Sequence, residues 1–136
     1  MVRFSLFDHE ADIGIEIYGS SQEEIFKNAA YALFSIMVEG SEQKGYEVTK
    51  SIILEKNGEL LISFLNELLY LWETERIIIG DLEVELEDNR LRATLFCRRF
   101  DPQIHTLKKE IKAATYHNFE LKRLDEGYIA RVILDV

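Results

Sequence analysis

Cysteine and proline are nearly missing from this chain, with one of each in 136 residues. A lone Cys97 excludes an intramolecular disulfide and any cysteine-based zinc site. The single Pro102 leaves no proline-rich linker or low-complexity tract. Long apolar runs are lacking too. Stretches such as Leu68–Trp72 fall far short of the roughly 20 residues needed to span a bilayer. The opening MVRFSLFDHEAD turns acidic after seven residues and holds no apolar core of signal-peptide length. A cytoplasmic protein without a membrane segment is the expectation. Basic residues are in deficit, 16 against 25 acidic, for a net charge of −9. Such a surface repels a phosphate backbone, so direct nucleic-acid binding is not expected. It suits solubility, a basic protein partner or a divalent cation. Catalytic fingerprints are absent as well: there is no G-x-S-x-G elbow, no phosphate-cradling glycine loop and no dinucleotide motif.

What is present is an ordinary globular composition. Apolar residues make up 47% of the chain, and no shift in composition marks a boundary, so residues 1–136 read as one domain. Val2–Phe7 is a short β-rich run, and Asp12–Tyr18 alternates with Ile13, Ile15 and Ile17 on one face. Ser21 and Glu24 have capping-box spacing, predicting a helix to about Val38 with Ile25, Ala29, Leu33 and Met37 on its apolar face and Gly40 as its stop. Tyr46–Glu55 reads as a strand and Asn57-Gly58 as a turn. A second helix is predicted over Glu59–Glu75, where Leu60, Leu69 and Leu71 widen the apolar stripe and imply cover on more than one side. Leu82–Leu86 and Leu91–Cys97 alternate on either side of Asp88-Asn89, as a hairpin should. Phe100–Glu110 reads as a loop, Ile111–Leu121 as a strand by alternation, and Gly127–Val136 as a last strand. The sum is an α+β domain, a mostly antiparallel sheet with two amphipathic helices packed on it.

The densest polar group is Asp8-His9-Glu10-Ala11-Asp12. In an extended chain Asp8, Glu10 and Asp12 would point one way and His9 the other. Carboxylates are hard ligands for calcium, magnesium or manganese, but the spacing is not that of a calcium loop. Composition alone also fits a solvated turn ahead of a strand. Asp135-Val136 sets a side-chain carboxylate beside the terminal one. That pair could complete a metal site or form a solvated chain end, and it could meet Asp12 only if the N-terminal and last strands were neighbours. Lys112 could contact phosphate or an acidic group of a partner, or simply sit on a polar sheet surface. His117 shares parity with apolar positions, which predicts a hydrogen-bonded core histidine; His105 in the proline loop has no evident role. Cys97 and Trp72 follow inward positions and read as core. A metal-dependent hydrolase would need an open metal position and a positioned base, and neither is evident.

Several segments together resemble the archease family. Asp8-His9-Glu10-Ala11-Asp12-Ile13 is similar to its His-Thr-Ala-Asp signature, with Glu10 in place of the threonine. Leu61–Glu73 resembles its second-helix pattern around Phe-Leu-Asn-Glu-Leu-Leu, and Glu110–His117 carries the distinctive Lys-Ala-Ala-Thr-Tyr-His. Ala130–Val136 is similar to the family's closing strand, which ends in Asp and an aliphatic residue. The pieces occur in order across the whole chain. The resemblance implies a non-catalytic protein cofactor of RtcB-type RNA ligases, which join RNA ends with GTP and manganese. The cofactor speeds guanylylation of the ligase and permits multiple turnover in tRNA splicing and RNA repair. An alternative role is a chaperone-like modulator of a tRNA methyltransferase. The resemblance also implies a divalent metal site, calcium foremost, with Asp12, Asp135 and the terminal Val136 as ligands. Asp8, His9, Glu10 and Lys112 stand as further functional candidates.

Overall fold

The computed structural model describes residues 3–9, 11–41, 45–55 and 59–136. Nine strands and two helices are present among them. β1 (Phe4–His9) and β2 (Asp12–Gly19) lead into α1 (Gln22–Met37), then β3 (Val38–Glu39) and β4 (Val48–Glu55). After α2 (Leu60–Glu75) come β5 (Ile77–Glu87), β6 (Arg90–Arg99), β7 (Thr106–Leu107), β8 (Ala113–Leu124) and β9 (Gly127–Asp135). The strands fall into an antiparallel four-stranded sheet ordered β1-β2-β9-β8, a three-stranded sheet ordered β4-β6-β5, and a two-residue ladder of β3 with β7.

Alternation decides which side of each strand is wet. Ile15 and Ile17 on β2, and Ala130, Val132 and Leu134 on β9, are buried against the helices, as are Leu91, Ala93, Leu95 and Cys97 on β6. α1 touches β2 and β9 of the larger sheet and β5 of the smaller; α2 touches β8 of the larger sheet and β4, β5 and β6 of the smaller. The helices therefore lie between two sheets, which is why both are apolar over more than one face. α2 buries Leu61, Ile62, Phe64, Leu65, Leu68, Leu69, Leu71 and Trp72. Phe64 meets Phe26 of α1 with ring centroids 5.5 Å apart, joining the two helices at the centre of the core. Each such side chain contributes about 1.5–3 kcal/mol on burial.

The N-terminal end of α1 is satisfied locally. Glu24 donates its backbone N–H to Ser21 Oγ at 3.1 Å. The Glu24 carboxylate returns to the N–H and hydroxyl of Ser20 rather than to Ser21, so the expected capping box is displaced by one residue. Past the helix, Lys108 donates its N–H to the Met37 carbonyl at 2.7 Å, one of the orphan acceptors that a helix end leaves. This contact sits beside the β3–β7 ladder, which the loop reading of Phe100–Glu110 did not anticipate. Two-residue strands carry no periodicity to read. The β5–β6 hairpin also begins earlier than alternation suggested. Ile77, Ile78 and Ile79 are all buried, and a register shift between Ile79 and Asp81 resets the parity before Leu82. The Asn57-Gly58 turn lies outside the described residues.

Candidate functional site

Asp8–Asp12 does not form the single extended run in which its acids would share a face. The chain reverses, and the register pairs His9 with Asp12 and Asp8 with Ile13. Glu10 lies outside the described residues.

From this hairpin the site is assembled by sheet order. β2 and β9 are neighbours, with Ile13 opposite Leu134 and Gly14 opposite Ile133. One further step of the same register sets Asp12 against Asp135. Since Ile15, Ile17, Val132 and Leu134 point at the helices, Asp12 and Asp135 lie on the outer face. Side chains directly opposite on an antiparallel pair have Cβ atoms about 4.5–5.5 Å apart. Asp12 is half-buried and Asp135 exposed. Val136 follows, its side chain packed against the core while its main chain stays at the sheet end. On the far side of β9, Ala113 pairs with Asp135, and Lys112 donates its N–H to the Asp135 carbonyl at 2.8 Å.

The structure thus brings Asp12, Asp135 and Val136 to one corner of the four-stranded sheet, with the backbones of His9 and Lys112 on either side. Two carboxylates on neighbouring strand positions are hard oxygen donors of the kind a divalent cation takes. Among the described residues, no three His, Cys, Asp or Glu side chains gather as a metal-holding group. The donor set here is two carboxylates and main-chain oxygen.

Lys112 is exposed and lines a cleft of ≈500 Å³ with Asn66, Tyr70 and Glu73 of α2. In the sequence Asn66 is only one position of the second-helix pattern. Its carboxamide bridges to β8, donating to the Ala114 carbonyl at 3.0 Å and accepting from the Ala114 N–H at 2.8 Å. A larger recess of ≈700 Å³ lies elsewhere, between the start of α1 and the β8–β9 turn, and has no part in this corner.

His117 is not a core residue. β8 loses register with β9 between Thr115 and Glu120, Asn118 takes a left-handed φ of 51°, and Tyr116, His117 and Asn118 are exposed. A bulge of this kind cancels the alternation of the strand, so parity does not fix the side on which His117 lies. Among the described side chains the buried histidine is His105, 2% exposed, whose Nδ1 accepts the Asp101 N–H at 2.9 Å and whose ring lies against Phe100. Cys97 and Trp72 are buried as expected. No described helix is long and apolar enough to cross a membrane.

The Archease protein family (MTH1598/TM1083) matches the chain over residues 4–136. Protein archease of Pyrococcus furiosus is 37% identical over 142 residues, with all of both chains covered. Protein archease of Archaeoglobus fulgidus is 37% identical over 99% of this chain and all of its own. The solution structure of Methanobacterium thermoautotrophicum protein 1598 has a TM-score of 0.75 at 33% identity, covering 98% of this chain and 99% of that one. The fold is shared with the crystal structure of an archease, possible chaperone, from Thermotoga maritima, at a TM-score of 0.66 and 21% identity over 96% and 94% of the two chains.

Proposed function

The chain belongs to the archease family, and on that premise we propose that it is a metal-binding protein cofactor of an RtcB-type RNA ligase. It promotes GTP-dependent guanylylation of the ligase and its multiple turnover in tRNA splicing and RNA repair. The observation that supports the metal part is the pairing of β2 with β9 up to Ile13 opposite Leu134, which brings the Asp12 and Asp135 positions to one end of the larger sheet. Their carboxylates, with a main-chain oxygen of Val136, would hold a divalent cation, calcium foremost and manganese or magnesium as alternatives. Such an ion would supply charge neutralisation at the corner and a link to anionic groups of the partner.

The chain's own residues do the rest. Asp12 and Asp135 present hard ligands at the sheet end, and Lys112 adjoins them through its main-chain N–H while its side chain offers a positive charge in the cleft against α2. Asp8, His9 and Glu10, just ahead of Asp12 in the sequence, are further candidates for contact with the same partner. An activator shifts its target only by binding one state better than the other. An acidic corner that carries a cation is suited to favour the ligase state that reacts with GTP.

The test is guanylylation of a cognate ligase with and without this protein, at substoichiometric and equal amounts. Acceleration is expected, and Asp12→Ala should lose it while keeping its far-ultraviolet circular dichroism. An active ligase that gains nothing from the wild-type protein would sink the proposal, and the methyltransferase chaperone role would take its place.

A further inference from the structure

We propose that Asn66 is a positioning residue for the Asp12–Asp135 carboxylate pair, acting by clamping the Ala114 peptide of β8 from helix α2. This inference rests on the metal-site reading above.

β8 is an edge strand, and its start is held to β9 by a short ladder. Only Ala113, Ala114 and Thr115 pair there, with Asp135, Leu134 and Ile133, before the register is lost until Glu120. The Lys112 N–H to the Asp135 carbonyl, at 2.8 Å, and the Thr115 hydroxyl to the Ile133 carbonyl, at 2.9 Å, add to it. Three pairs bounded by a bulge form a segment prone to local opening. Asn66 blocks that opening. Its amide meets both the N–H and the C=O of Ala114, as a neighbouring strand would. The orientation of the carboxamide is fixed by this pairing, because the Ala114 N–H requires the oxygen and the carbonyl requires the NH₂. The clamp is anchored in a helix whose other face lies in the core. Ala114 itself is 4% exposed, so water cannot readily replace a lost partner. Holding Ala114 holds the ladder, and the ladder holds the Asp135 backbone opposite Asp12. Groups that orient metal ligands in this way typically change affinity by about 10–100-fold when removed.

The test is calcium binding to the full chain by titration calorimetry, repeated with manganese, together with amide hydrogen exchange. The variants are Asn66→Ala and Asn66→Leu, the second keeping bulk and helix propensity, with Ile52→Val in the other sheet as a destabilised control. Both Asn66 variants are expected to bind about 10-fold more weakly and to exchange the Ala114 and Lys112 amides faster. The control should bind like wild type, and the Ile15 amide should stay protected in all three. Wild-type affinity in both Asn66 variants would overturn the positioning role and leave the metal reading intact. So would an equal loss in Ile52→Val, which would mark general softening. If the wild-type chain binds neither ion, the metal reading falls and the inference falls with it.

Discussion

Replacing Asp135 by asparagine should invert the order of stability between chelator and cation. The β2–β9 register runs to Ile13 opposite Leu134, and its next step brings the Asp135 position across from Asp12 on the outer face. At a separation of roughly 5 Å, two unit charges repel by about 0.8 kcal/mol in water and about 3 kcal/mol at an effective dielectric of 20. Asp135 is exposed, so the lower end applies, about 1 kcal/mol. Asn is isosteric and leaves the backbone bond from Lys112 untouched. In chelator, Asp135→Asn should therefore be as stable as wild type or firmer by up to about 1 kcal/mol, a rise in Tm of at most about 4 °C for a domain of this size. Cation at about 100 times its Kd stabilises the native state by about 2.7 kcal/mol, or roughly 10 °C. The variant lacks one of two side-chain ligands and should gain little of this. Melting curves in EDTA and across a calcium series, at matched ionic strength and repeated with manganese, would read the crossover. A wild-type Tm that does not move with either ion refutes the reasoning. So does a variant that melts lower in EDTA and then moves in parallel with wild type.

Three further outcomes follow from other parts of the fold. The Tyr31 hydroxyl donates to Asp81 at 2.9 Å, and burial together with that carboxylate pushes its pKa up to about 12 from an ordinary 10.0. A folded pKa above the unfolded one means that the neutral phenol stabilises; this contribution is complete below pH 10 and is lost as pH rises towards 12. Absorbance titration should show one tyrosine ionising late, and Tyr31→Phe should remove that step. Burial likewise pushes the Cys97 thiol up to about 11, so a thiol reagent at neutral pH should find nothing in the native protein and one equivalent after unfolding; rapid native labelling would contradict the burial. Gly127 has φ +146°, and a Cβ there would overlap the Gly19 carbonyl oxygen. Gly127→Ala should cost about 2–3 kcal/mol in urea unfolding, and a loss under about 0.5 kcal/mol would show that the turn relaxes freely.

Both helices and most strands were legible because one-sided burial writes itself as periodicity. Ile15 and Ile17 on β2, Leu91 to Cys97 on β6 and Ala130 to Leu134 on β9 alternate because a core lies on one face and water on the other. The doubly covered α2 was legible from its extra leucines. Where the pattern misled, a local irregularity had reset the parity. The bulge before Glu120 turned His117 out to solvent, and the shift at Gly80 left Ile77–Ile79 buried as a block. The β3–β7 ladder is two residues long and is fixed by tertiary contact, so no window of sequence could contain it.

The candidate site was only half legible for a deeper reason. Asp12 and Asp135 stand near opposite ends of the chain, and no local pattern relates them. Their meeting follows from the strand order β1-β2-β9-β8, which makes the second and last strands partners. Once that adjacency exists, the aliphatic residues determine the geometry. Ile15 and Ile17 must face the helices, which turns Asp12 outward; Val132 and Leu134 must do the same, which turns Asp135 outward. A slip of one residue between β2 and β9 would drive a whole row of isoleucine, valine and leucine into water, so the register cannot drift to relieve repulsion between the acids. Core burial thus fixes the two acidic positions on the outer face of neighbouring strands. A cation or a basic group on a partner would add counter-charge to two acids so placed.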